Sequence, residues 1–229
     1  MKDALTFGDR AFQFSTSLTF DIRMPRDVVV MNPYREVKVR AYVRSFLSKF
    51  YSDNRERVLV FGINPGRFGS GITGVTFTDP VALEMFCDIP NDLPKKRELS
   101  SVFVYEFANH WGGAEKLYRD FYFTAVSPLG FVKNGKNFNF YDDPRFLADI
   151  KPFLISSIKA HLDFGSSRKA AIVLGTGKIK KVFENLNNEY QFFERVFAVE
   201  HPRFIMQYRR KYIREYLEAY QKTFAEALR

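Results

Sequence analysis

Four short, predominantly apolar runs set the tightest limit on what this chain can fold into. They are Val58-Leu59-Val60-Phe61-Gly62-Ile63, Phe121 to Val126, Ala170 to Leu174 and Val196 to Val199. A strand with one face in water alternates apolar and polar residues. An unbroken run reads instead as a strand buried on both faces, which is the pattern of parallel sheets. Helical patterns lie between the runs. Asn32-Pro33 offers a cap and a first-turn proline ahead of Val39, Tyr42, Val43, Phe46, Leu47 and Phe50 at helical spacing. Asp79-Pro80 opens another helix, and Ser100 to Tyr118, Pro144 to Leu162 (with a kink expected at Pro152) and Ile179 to Leu186 continue the series. A last helix carries Tyr212, Ile213, Tyr216, Leu217, Tyr220 and Phe224 on one stripe. Strands alternating with helices predict an α/β fold, a three-layer α/β/α sandwich on a mostly parallel sheet. No repeat, low-complexity tract or linker interrupts the 229 residues, so one domain spanning 1–229 is expected.

In such folds sites gather at the carboxyl ends of the strands. After the first run comes Asn64-Pro65-Gly66-Arg67-Phe68-Gly69-Ser70-Gly71-Ile72-Thr73-Gly74-Val75-Thr76-Phe77. Asn-Pro-Gly stops the strand and aims Asn64 over the sheet edge, and the glycines let backbone N–H groups approach a ligand. Gly69 to Gly74 matches the dinucleotide pattern G-x-G-x-x-G, but it runs into Val-Thr-Phe rather than a helix and fails that test of context. Gly175-Thr176-Gly177-Lys178 resembles a phosphate loop without the spacing or hydroxyl of one. Two readings stay open for it: a helix start offered to a DNA phosphate through Lys178, or a plain strand-to-helix turn. The last run ends in Glu200-His201-Pro202, which puts His201 at a strand end beside the Asn64 loop. His110 and His161 read as structural.

A net charge of +9 favours an anionic partner such as nucleic acid. The 26 Phe and 12 Tyr spread along the whole chain, so most of them are assigned to the core. A single cysteine, Cys87, excludes an intramolecular disulfide and a four-cysteine iron–sulfur site. No apolar run reaches membrane-spanning length, and Met1-Lys2-Asp3-Ala4 does not open a signal peptide. The expectation is a cytoplasmic or nucleoid-associated monomer that is not secreted and does not meet a membrane.

Gly62-Ile63-Asn64-Pro65-Gly66 through Thr73-Gly74-Val75-Thr76-Phe77, the Ser127-Pro128-Leu129 strand end and His201-Pro202 together resemble the uracil-DNA glycosylase superfamily, most of all its single-strand-selective monofunctional branch. The resemblance runs in order from about Val58 to the last helix. It implies a four-stranded parallel sheet between helices, no metal or organic cofactor, and hydrolysis of the N-glycosidic bond of a damaged base flipped out of DNA. It also implies roles. Asn64 would position the attacking water, His201 would hydrogen-bond the base carbonyl as charge builds there, and Phe77 would be the stacking floor. Backbone amides of Ile63 and of Gly66 to Gly71, Ser70 included, would complete the pocket or grip flanking phosphates.

Two departures from the family pattern stand out. The branch reads uracil with an asparagine just before its strand-end Pro-Leu, where this chain has Ala125. Ser127 is the expected substitute, since a hydroxyl both donates and accepts. Arg203-Phe204 replaces the usual Ser-Pro, so Phe204-Ile205-Met206 reads as an apolar wedge flanked by the phosphate-binding cations Arg203, Arg209, Arg210 and Lys211, or else as a loop packing inward. Two other functions stay open at this point: a non-catalytic nucleic-acid-binding module on the same fold, and a hydrolase of free nucleosides.

Overall fold

Each of the four apolar runs is a strand, and the four form one sheet. The computed structural model describes residues 4–229; Met1-Lys2-Asp3, read above against a signal peptide, lie outside the described residues. The strands are β1 (Val28–Met31), β2 (Arg57–Gly62), β3 (Phe121–Ala125), β4 (Gly130–Lys133), β5 (Lys136–Phe138), β6 (Ser166–Leu174) and β7 (Arg195–Val199). The main sheet has the order β3-β2-β6-β7, and every pairing in it is parallel.

Alternation along β2 explains why its run is apolar throughout. Val58 and Val60 enter one core, and Leu59 and Phe61 enter the other. The helices are α1 (Phe7–Ser17), α2 (Val37–Phe50), α3 (Ser70–Thr73), α4 (Pro80–Met85), α5 (Leu99–Trp111), α6 (Ala114–Asp120), α7 (Pro144–Asp163), α8 (Lys178–Tyr190), α9 (Pro202–Tyr208) and α10 (Ile213–Ala227). The first core is closed by apolar stripes of α1, α2, α5, α6 and α10, and the second by α7 and α8. The three-layer α/β/α architecture is therefore as expected.

Local details differ from the sequence reading. Asn32 caps a 3-10 turn at Pro33–Arg35, and α2 starts only at Val37. The single helix expected from Ser100 to Tyr118 is two, broken at Gly112 and Gly113, whose φ values of 109° and 106° suit glycine alone. Helix α7 continues through Pro152 to Asp163, and Tyr212 belongs to a 3-10 turn ahead of α10.

The larger difference is a second sheet, order β1-β4-β5 and antiparallel. Its β4–β5 hairpin turns at Asn134-Gly135, with φ of 49° and 70°. A two-residue hairpin turn with positive φ at both central positions favours Asn-Gly. This hairpin delivers Phe138 and Asn139 to the carboxyl edge of the main sheet.

Candidate active site

At that edge the ends of β2, β3, β5 and β7 surround one cavity of about 370 Å³. β2 contributes Gly62 and the turn Ile63 to Gly66, and β3 contributes Ala125, paired in register with Gly62. His201 follows β7 and opens α9. Its position is fixed from behind by Gly175 N–H, which donates to Val199 O at 2.7 Å, and by the Tyr220 hydroxyl of α10, which donates to Glu200 O.

Asn64 is held by one end and free at the other. Its Nδ2 donates to Phe138 O at 3.3 Å, and a carbonyl can accept only from the NH₂ end, so the contact orients the amide. Its Oδ1 is buried and has no partner among the described residues. Buried polar atoms are nearly always hydrogen-bonded, so an orphaned acceptor on a cavity wall suits a water or ligand donor.

His201 caps α9 with its own ring: Arg203 N–H donates to Nδ1 at 3.1 Å. Burial, with the Arg203 charge added, pushes this imidazole down to about 4. A neutral imidazole that accepts at Nδ1 must carry its proton at Nε2. His201 is thus a neutral donor near neutral pH, its tautomer set by a backbone amide.

Phe77 takes a positive φ of 55° and lines the cavity. A Cβ on Gly62 would stand 2.6 Å from its Cζ, so glycine at 62 is what admits the ring. The ring centroid lies 6.2 Å from that of His201. Opposite, the Glu98 carboxyl sits against the glycine turn: a Cβ on Gly66 would stand 2.8 Å from Oε1, and one on Gly69 1.9 Å from Oε2. Burial, with Asp79 adding like charge against the pull of Arg203, pushes Glu98 up to about 7.

The family model of the uracil DNA glycosylase superfamily matches residues 48–228. The chain belongs to that superfamily. It is also similar to the crystal structure of wild-type Pedobacter heparinus SMUG2, at 41% identity and TM-score 0.94 over 97% of this chain and 98% of that one. No curated protein matches. The protein is accordingly a DNA glycosylase, a hydrolase of N-glycosyl bonds in base excision repair, and the non-catalytic module and free-nucleoside hydrolase give way to it. Among the described residues of this glycosylase no helix is long and apolar enough to cross a membrane.

The cavity brings together Asn64, His201, Ile63, Gly66, Ser70 and Phe77 from the sequence reading. It does not include Ser127. That residue is fully buried, and its hydroxyl donates to Leu129 O at 2.8 Å, two residues on. A hydroxyl can satisfy itself within its own turn, so the expected substitute base reader is corrected: Ser127 holds the strand end. The three-residue wedge is corrected too. Arg203 to Tyr208 is helix rather than loop, and Ile205 and Met206 are buried against the first core, 0% and 5% exposed. On a helix with Pro202, Ile205 and Met206 turned inward, the other face carries Arg203, Phe204, Gln207 and Tyr208 to the cavity.

The backbone grip on phosphate narrows as well. The amides of Gly69 and Gly71 donate to Gly66 O, and that of Arg67 donates to Asn137 Oδ1. Lys178 is exposed at the first position of α8 and lies outside the cavity; Arg209, Arg210 and Lys211 are exposed after α9. Sequence reading missed Glu98, Asn137 and Asn139, which all line the cavity. A signal for the two asparagines was there: Asn134-Gly135 between apolar segments marks a hairpin, and alternation about Phe138 puts residues 137 and 139 on one face.

Proposed function

We propose that this glycosylase removes uracil or another deaminated base by hydrolysis, with Asn64 holding the attacking water and His201 stabilising the departing base. The observation that carries this reading is the pair of complementary groups on one cavity: a buried acceptor without a partner, and a neutral imidazole whose backbone contact leaves Nε2–H to donate. The base–sugar C–N bond breaks with its electrons passing to the base, and the sugar takes on oxocarbenium character. Water adds at the anomeric carbon and loses its proton to solvent. An amide is too weak a base to activate water strongly, so most of the rate rests on the hydrogen bond to the leaving group. Phe77 forms the floor on which the flipped base stacks.

Among the described residues no lysine lines the cavity, and a water nucleophile leaves no covalent link to DNA. The test is to incubate the protein with oligonucleotides carrying uracil, hypoxanthine, xanthine or hydroxymethyluracil, then cleave abasic sites with alkali. Excision without any borohydride-trapped protein–DNA adduct is expected. A trapped adduct overturns the monofunctional mechanism.

Phe204, which lines the cavity, is the remaining wedge residue, 36% exposed with Tyr208 and Arg209 packed on it. Arg203, Arg209, Arg210, Lys211 and Lys178 are assigned to phosphates. Filling a vacated base stack helps only where a stack exists, so Phe204→Ala should slow excision from duplex more than from single strands. Equal losses on the two substrates in single-turnover assays would remove the wedge role.

A further inference from the structure

With alanine at 125 and the Ser127 hydroxyl spent on Leu129, the strand end of β3 offers the base no side-chain hydrogen bond. A carboxamide reaches the same cavity from another element. Asn139 directly follows β5 and is half-buried on the cavity wall. Its backbone N–H donates to Asp142 Oδ2 at 2.9 Å, while its side chain makes no hydrogen bond to any described residue. Phe138, one residue earlier, buries its ring in the second core and gives its carbonyl to Asn64 Nδ2. Asn139 therefore directly follows the carbonyl that tethers Asn64.

Besides Asn64 and Asn139, two other amide side chains line the cavity, and each is engaged by one hydrogen bond. Asn137 Oδ1 accepts from Arg67 N–H at 3.1 Å, and Gln207 Nε2 donates to the Tyr208 hydroxyl at 2.8 Å on the exposed face of α9. Glu98 lies against the glycine turn beside Arg203.

We propose that Asn139 is the base-reading residue, its NH₂ donating to a base carbonyl and its oxygen accepting from the adjacent ring N–H. The substrate class is then a base presenting C=O beside N–H, as in the imide of uracil or the lactam of a deaminated purine. A carboxamide matches that edge in both directions. This rests on the excision mechanism above. It differs in taking specificity from the β4–β5 hairpin instead of the end of β3.

The test compares wild type with Asn139→Ala on single-stranded oligonucleotides containing uracil or 3-methyluracil, which lacks the N–H. Removing one two-way base contact should lower kcat/KM on uracil by about 10- to 100-fold. The wild-type preference for uracil over 3-methyluracil should collapse toward unity in the variant. Binding to an oligonucleotide with a tetrahydrofuran abasic site, which offers no base to read, should be unchanged. Asn139→Asp, which keeps shape but replaces the donor with an acceptor, should also lose uracil at neutral pH. An unchanged preference in an active variant overturns the assignment, as does weakened abasic-site binding, which would mark a structural role. A wild type that binds the abasic site but excises none of these bases overturns the excision mechanism, and this proposal with it.

Discussion

Replacing His201 with alanine should slow single-turnover excision by roughly 10²–10³-fold, the typical loss for one donor aimed at developing transition-state charge. The ring's two nitrogens have different roles. Nδ1 is occupied by Arg203 N–H, so only Nε2–H is left to meet a base whose carbonyl gains charge as the glycosidic bond opens. Affinity for DNA should change little, because the bond strengthens in the transition state more than in the bound ground state. The pH behaviour is equally specific. With its pKa down at about 4, His201 is neutral well below the ordinary histidine range, and falling pH adds its proton only near that value. The imidazole resonances should therefore titrate near pH 4. Between pH 5 and 8 no loss of rate should belong to His201. A step near pH 7 would belong to Glu98, which burial and Asp79 push up to about 7 in the same cavity, and it should vanish in Glu98→Gln. Wild-type rates in His201→Ala, or titration of that ring near 6.5, would remove the histidine from this role.

Asn64→Ala should cost about 100-fold in kcat, with KM nearly unchanged. The side chain is tethered by Phe138 O and presents Oδ1 as a buried acceptor, which is the geometry for holding one water in line with the sugar. Misplacing a nucleophile by about 1 Å is enough for a loss of that size. Asn64→Asp keeps the acceptor but sets a carboxylate against the Phe138 carbonyl, so it should recover part of the rate and lose stability. If kcat held and KM rose, Asn64 would contribute ground-state binding, and the water would have to be placed by other groups.

Much of this protein was legible before folding was considered. The unbroken runs Val58 to Ile63 and Ala170 to Leu174 were strands buried on both faces because no polar residue interrupted them, and β2 and β6 are the two central strands. Asn64 and His201 were found because a strand-stopping turn and a strand-end His-Pro place side chains at the carboxyl edge wherever the sheet lies.

At the site, the differences concern which way a side chain faces. Phe204, Ile205 and Met206 are adjacent in sequence, but a helix turns each residue by about 100°, so only Phe204 stays outside while its neighbours enter the core. Ser127 had the right chemistry for a base reader, yet its hydroxyl found Leu129 O two residues away, and a local partner wins over a distant one that must be brought in. Asn139 was overlooked for the opposite reason. Nothing near it in sequence links residue 139 to residue 64; the link is a hydrogen bond from Asn64 to Phe138 across a separation of 74 positions. Periodicity and turn chemistry are short-range properties, so the sequence alone determined the four strands of the main sheet, the main helices and the placement of the two strand-end residues. The contents of the cavity were decided by packing the β4–β5 hairpin and α9 against the sheet, because a cavity wall is made of residues that meet only when the chain has closed on itself.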